Sequence, residues 1–111
     1  MKMQKTLLGE LEQVVLLAVV RLGGAAYAVS IRDEIRERTG IDLSRGTVYV
    51  SLERLERKGL LESWFADPTP KRGGKAKRYF KATATALRAL AENRAVMARM
   101  WDGVEASAGR S

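Results

Sequence analysis

The sequence predicts a mainly α chain with a small β-hairpin and a long final helix. Three observations carry this expectation. Apolar residues recur at three- and four-residue steps in four separate stretches, which is the period of a helix. Glycines stand where the first three of these stretches end, and glycine enters the left-handed backbone region that commonly closes a helix. Between residues 60 and 82 the pattern changes to two short, aromatic-rich runs around a Pro/Gly loop, the pattern of two paired strands.

The first helix is expected from Leu7 to Leu22, with Leu11, Val14, Val15, Ala18 and Leu22 on its apolar face. Gly23 and Gly24 stop it. In "YAVSIRDEIRERTG" Tyr27, Ile31 and Ile35 form the inner stripe, while Arg32, Asp33, Arg36, Glu37 and Arg38 face outward and Gly40 closes the helix. The third stretch, "IDLSRGTVYVSLERLERKGL", has Ser44 as its N-cap, Val48, Leu52 and Leu55 inside, and Gly59 as its stop. Two helices joined through "TGIDLSRG" have the spacing of a helix-turn-helix with a slightly extended turn. "LLESWFA" and "AKRYFKA" then read as strands on either side of Pro68, Pro70, Gly73 and Gly74. Trp64 and Phe65 are expected to pack into the core, as strand aromatics usually do. A helical domain followed by a hairpin with a basic tip is a winged helix-turn-helix.

The last helix, "TATALRALAENRAVMARMWDG", is alanine-rich and capped by Thr83. Leu87, Leu90, Arg94, Met97 and Trp101 alternate steps of three and four along it. About twenty helical residues span roughly 30 Å, more than so small a domain can cover. A partner helix is therefore expected on this seam, with folding back over the first helix as the alternative. Trp101 is read as an anchor at a dimer interface; the other reading is a wall of a pocket for a flat ligand. The expected division is a DNA-binding domain over residues 1–82 and a C-terminal dimerisation helix with a frayed tail over 83–111.

Composition narrows the chemistry. In 111 residues there is no Cys and no His, so disulfides, thiolate metal sites and the commonest general base are excluded. An enzyme, a metal and a cofactor are all unexpected. The longest apolar run, Val14 to Val20, is far below the ~20 residues that cross a bilayer, and no signal-peptide pattern opens the chain. A cytoplasmic protein without a membrane partner is the expectation. The net charge is +7, and residues 67–81 hold six of the twenty Lys and Arg residues with one acid. Such a surface suits a polyanion, with nucleic acid as the first candidate. "RGGKAK" is not a phosphate loop of the Walker kind, because Ala76 follows Lys75 where Ser or Thr is required.

With Val48 turned inward, a 100° advance per residue turns Gly46, Thr47, Val50, Arg54 and Arg57 outward, and Glu53 shares this side. Arg45 and Thr47 stand at the start of the helix, the end that enters a major groove in this class of motif, and Arg pairs with guanine O6 and N7. Val50 suits a thymine methyl. Tyr49, on the flank, serves either a phosphate or the joint between helix and wing. Arg57 and Lys58 read as an ordinary solvated face.

Taken together, "LGELEQVVLLAVVRLGGAAYAVSIRDEI", "SRGTVYVSLERLERKGLLES" and "RGGKAKRYFKATATALRAL" resemble the PadR-like transcriptional regulators, in their compact subgroup. The fullest match is "GTVYVSLERLERKGLL". Ala28, Val50 and Ala86 stand where the family usually has Gly, Pro and Gly. The resemblance implies a homodimeric DNA-binding regulator of transcription, mostly a repressor, on a palindromic operator of double-stranded DNA. It implies DNA contacts at Ser44, Thr47 and Tyr49, joined by Arg45, Val50 and Arg54 from the helix geometry. The basic wing would add Lys71, Arg72, Lys75, Lys77 and Arg78, and the dimer contact Leu87, Leu90, Met97 and Trp101. Some members bind small aromatic effectors near the dimer interface. The alternative is a non-specific nucleic-acid binder or protein-interaction module that uses the basic wing alone.

Overall fold

In a computed structural model, the structure describes residues 7–66 and 76–104. Helix α1 (Glu10–Leu22) leads through a short 3-10 turn (Gly23–Ala25) into α2 (Ala28–Thr39) and α3 (Arg45–Arg57); strands β1 (Leu61–Phe65) and β2 (Arg78–Ala82) follow, then α4 (Ala84–Trp101). The order of elements is the expected one. Pro68, Pro70, Lys71, Arg72, Gly73, Gly74 and Lys75 lie outside the described residues, as does the tail after Val104.

Local chemistry sets the boundaries. Gly40 (φ 77°), directly after α2, and Gly59 (φ 79°), one residue beyond the Lys58 cap of α3, adopt the left-handed conformation, where a Cβ would be strained. Gly40 donates its N–H to the Arg36 carbonyl at 2.8 Å. Ser44 caps α3 by accepting the Thr47 N–H at 3.1 Å, and Thr83 caps α4 by accepting the Ala86 N–H at 3.1 Å. Each cap satisfies one of the donors a helix start leaves free. Helix α1 starts at Glu10 rather than Leu7. The residues before it are held differently: the Leu8 N–H donates to Oδ1 of the buried Asn93 on α4, at 2.7 Å.

The core is one cluster. Val15, Leu16 and Val19 of α1 meet Ile31 and Ile35 of α2, Val48, Leu52 and Leu55 of α3, and Phe80 of β2. The strands pair antiparallel with Leu61 opposite Ala82, Ser63 opposite Phe80 and Phe65 opposite Arg78. Tyr27 bridges Tyr79, and the Phe80 N–H donates to the Ala26 carbonyl at 2.9 Å, so β2 is flanked on both sides. Sequence periodicity gives no sign of this extra bridge, because a single paired residue has no period.

Two expectations about packing are corrected. Trp64 and Phe65 are not core residues; they are 44% and 68% exposed. Successive strand side chains alternate faces, and the helical core covers the face that carries Leu61 and Phe80. Trp64 falls on the other face, stacked on Tyr79 with ring centroids 6.1 Å apart. Phe65 lies at the far end of the strand, beyond the core. The seam of α4 also divides. Ala86, Leu90 and Asn93 are the buried residues of α4, so Leu90 packs within its own chain. Leu87, Met97, Met100 and Trp101 remain exposed.

Candidate nucleic-acid interface

Helix α3 is buried along one side by Val48, Ser51, Leu52 and Leu55, which leaves three strips at the surface. The amino-terminal strip holds Ser44, Arg45, Gly46, Thr47, Tyr49 and Val50, all exposed. Tyr49 and Val50 are large and apolar yet 46% and 59% exposed. Arg45 has no ion-pair or side-chain hydrogen-bond partner among the described residues. The Ser44 hydroxyl donates to Thr47 Oγ1 at 2.9 Å, which ties those two side chains to the helix start. A Cβ added at Gly46 would meet nothing within 4 Å. The fold itself therefore does not require glycine there, and a helix normally loses stability by having it.

The second strip faces α1. Lys58 Nζ pairs with Glu12 Oε2 at 2.5 Å, and Arg54 adds its charge to the same carboxylate. The hydrogen bond from Lys58 is the main cause that holds the Glu12 carboxyl below its usual range; burial opposes it, and the Gly9 N–H, donating to Glu12 Oε1 at 3.0 Å, assists it. Arg54, expected on the outward face, is exposed but stands on this flank. Arg57 lies between the strips, exposed and without an ion pair among the described residues.

The third strip faces the hairpin. Arg78 Nη2 pairs with Glu56 Oε1. Arg78 Nε donates to Ser63 Oγ at 3.1 Å, and the Ser63 hydroxyl donates to Glu56 Oε2 at 2.7 Å. Arg78 Nη1 is also 3.7 Å from Glu53 Oε2. The guanidinium lies over the Phe80 ring, 5.1 Å from its centroid. Lys77 is exposed, with its Nζ 4.3 Å from the centre of the Tyr27 ring. The structure thus brings Ser44, Arg45, Thr47, Tyr49 and Val50 together on one open surface, and it draws Arg78 into the joint between hairpin and helix.

Glu56 and Ser63 are absent from the sequence-based reading. A signal existed for one of them, since Glu53 and Glu56 stand three apart and so share a helix flank. Nothing local connects them to Ser63 or Arg78. On the opposite face of the hairpin, Trp64, Lys81 and Ala82 join Val19, Val20, Gly23, Gly24 and Leu87 around an open recess of about 410 Å³. Among the described residues no helix is long and apolar enough to cross a membrane, and no group of three acidic, His or Cys residues is placed to hold a metal.

The model of the "Transcriptional regulator PadR-like family" matches residues 16–92. Among solved structures, a PadR-like transcription factor from Bacteroides fragilis is 24% identical, with 86% of each chain covered and a TM-score of 0.73. A PadR family transcriptional regulator from Eggerthella lenta is 30% identical over 86% of this chain and 83% of its own, with a TM-score of 0.68. The PcaV transcriptional regulator from Streptomyces coelicolor, solved with its natural ligand, is 26% identical over 94% of this chain and 64% of its own, with a TM-score of 0.63. No curated protein matches the sequence.

Proposed function

The chain belongs to the PadR-like family of transcriptional regulators, and from that premise we propose that this winged-helix, DNA-binding regulator is a repressor that binds a palindromic operator as a homodimer. As a family of regulators rather than enzymes, it directs attention to surfaces instead of catalytic groups. The observation that carries the proposal is the open amino-terminal strip of α3. Among the described residues Arg45 has no ion-pair or side-chain hydrogen-bond partner and a Cβ at Gly46 would meet nothing, while Tyr49 and Val50 are exposed although apolar.

In this reading Arg45 reads a base edge, Val50 meets a thymine methyl, and Ser44, Thr47 and Tyr49 hold phosphate or sugar. Arg54 serves from the flank. Lys71, Arg72, Lys75 and Lys77 supply sequence-independent attraction along the backbone. Residues 1–82 form the DNA-binding unit, and 83–111 the dimerisation unit. The support for a dimer is α4, which has no buried residue from Arg94 to Trp101 and carries Met97, Met100 and Trp101 exposed. A second copy covering Leu87, Met97 and Trp101 would remove that apolar surface from water and set two α3 helices about 34 Å, or a multiple of it, apart on DNA.

Selection of bound fragments from random DNA tests the operator, because it reports sequence and half-site spacing together. Two inverted half-sites about one helical turn apart are expected. Fragments without a common sequence would replace the operator by general nucleic-acid binding, and sedimentation as a clean monomer at micromolar concentration would remove the dimer. Recruitment of a small aromatic effector belongs to the same proposal: the Streptomyces coelicolor regulator holds its natural ligand, and the recess beside Trp64 and Leu87 here is of a size for a planar ring. Tryptophan fluorescence titrated with planar aromatic acids checks this; an unchanged signal across a broad panel removes the effector.

A further inference from the structure

We infer that Arg78 is a positioning residue, which holds the hairpin at a fixed angle to α3, rather than a cation offered to DNA phosphate. The inference rests on the reading of α3 as the helix that contacts DNA. Four elements of the arrangement support it. One guanidinium reaches two carboxylates of α3, Glu56 and Glu53, and the hydroxyl of Ser63 on β1. Ser63 in turn donates to Glu56, which closes a ring of three side chains from α3, β1 and β2. The Arg78 side chain is only 21% exposed, and one face of its guanidinium is taken by Phe80. A planar fork engaged on several edges has a defined orientation that a lysine could not reproduce.

The arrangement has an electrostatic consequence as well. Glu53 and Glu56 are the two acids of α3, and both lie on the flank nearest the hairpin. Uncompensated, they would repel the phosphates that the wing is meant to track. Arg78 cancels much of that charge from inside the protein, whereas Lys77, one residue earlier and exposed, rests on the Tyr27 ring at 4.3 Å and has no carboxylate partner among the described residues, so its charge is left for the backbone of DNA. Two neighbouring cations of the basic segment thus have different tasks.

The test is a double-mutant cycle between Arg78→Gln and Glu56→Gln, with Lys77→Ala as the contrast and the charge-reversed pair Arg78→Glu with Glu56→Arg as a rescue attempt. Affinity for the selected operator is measured against salt, and the two-dimensional NMR signal of the Trp64 indole reports hairpin geometry without DNA. A clamp predicts that Arg78→Gln and Glu56→Gln each weaken operator binding by about tenfold and shift the Trp64 signal alike, with the double variant no worse than either single one. The salt slope stays that of the wild type, whereas Lys77→Ala lowers it by about 0.9, the loss of one phosphate contact. The inference is overturned if Glu56→Gln binds as tightly as wild type or tighter while Arg78→Gln lowers the salt slope by the same amount as Lys77→Ala. Failure of the underlying reading looks different: the wild type would not distinguish operator from scrambled DNA. In that case independent, additive shifts of the Trp64 signal would still refute the clamp, and shared shifts would support it.

Discussion

The two ends of the exposed face of α3 are built on opposite terms. At its amino-terminal end Arg45 is unpaired among the described residues, Val50 is exposed and Gly46 leaves open space above the helix. At its carboxy-terminal end Glu56 is bound to Arg78 and Ser63, and Lys58 to Glu12. The first end leaves Arg45 without a partner among the described residues; the second uses its charged groups to hold α3 to the hairpin and to α1. The difference teaches that a count of positive charges along a sequence does not say which of them are available. Recognition requires some side chains to be free and others to be immobile, and here the two sets are separated by about two turns of helix.

The largest expected effect comes from removing the platform common to both ends. Phe80 is fully buried between β2 and the core, so Phe80→Ala is expected to cost about 3–5 kcal/mol in unfolding free energy. Urea titration followed by circular dichroism measures it, and both ends should lose function together. Arg45→Ala acts at the free end alone. It is expected to reduce discrimination between operator and single-base variants by about 1–3 kcal/mol, with the melting temperature unchanged. A uniform loss over all sequences would assign Arg45 to phosphate instead.

Gly46→Ala sharpens the comparison, because its two effects have opposite signs. Alanine favours helix over glycine by up to about 1 kcal/mol and meets no neighbour among the described residues, so stability is expected to rise while operator affinity falls. A rise in both would mean that no molecule approaches α3 at that point. The smallest effect belongs to the closed end. The Glu12 carboxyl titrates below its usual range, chiefly through its hydrogen bond from Lys58. A depressed folded pKa gives stability that is present above the unfolded value of about 4.5 and lost as pH falls through the folded one. Glu12→Gln should therefore flatten the acid limb of the stability profile below about pH 4.5. It should lower stability at neutral pH by about 1 kcal/mol or less, since Lys58 is half-exposed.

Much of the fold is legible in the sequence because its signals are local. Ser44 and Thr83 as caps, and Gly40 and Gly59 as stops, act within four residues, and each does in the structure what its chemistry predicts. The inner stripes at Ile31 and Ile35 and at Val48, Leu52 and Leu55 follow from helical periodicity. Trp64 and Phe65 depart from the expectation for strand aromatics, being exposed. Residue type says that an aromatic prefers burial, but whether a strand face is covered depends on how many elements stack upon it. Leu90 shows the converse, since the same apolar step of three and four serves either a partner or the chain's own core.

By itself, then, the sequence determined the order of elements, the capped and glycine-closed boundaries, the resemblance to a family, the place of Arg45 at the start of its helix and the outward turn of Thr47 and Val50. All of these depend on backbone preferences and on spacings of a few residues. Only the tertiary structure decided that β2 is flanked by Tyr27, that Trp64 faces outward, that Leu90 is committed within its own chain and that Arg78 is joined to Glu56 and Ser63. These relations link residues 15 to 52 positions apart, or depend on which face of an element is covered. Whether a charge is free or paired is decided by the groups that folding brings within 4 Å of it, and no local pattern encodes that neighbourhood.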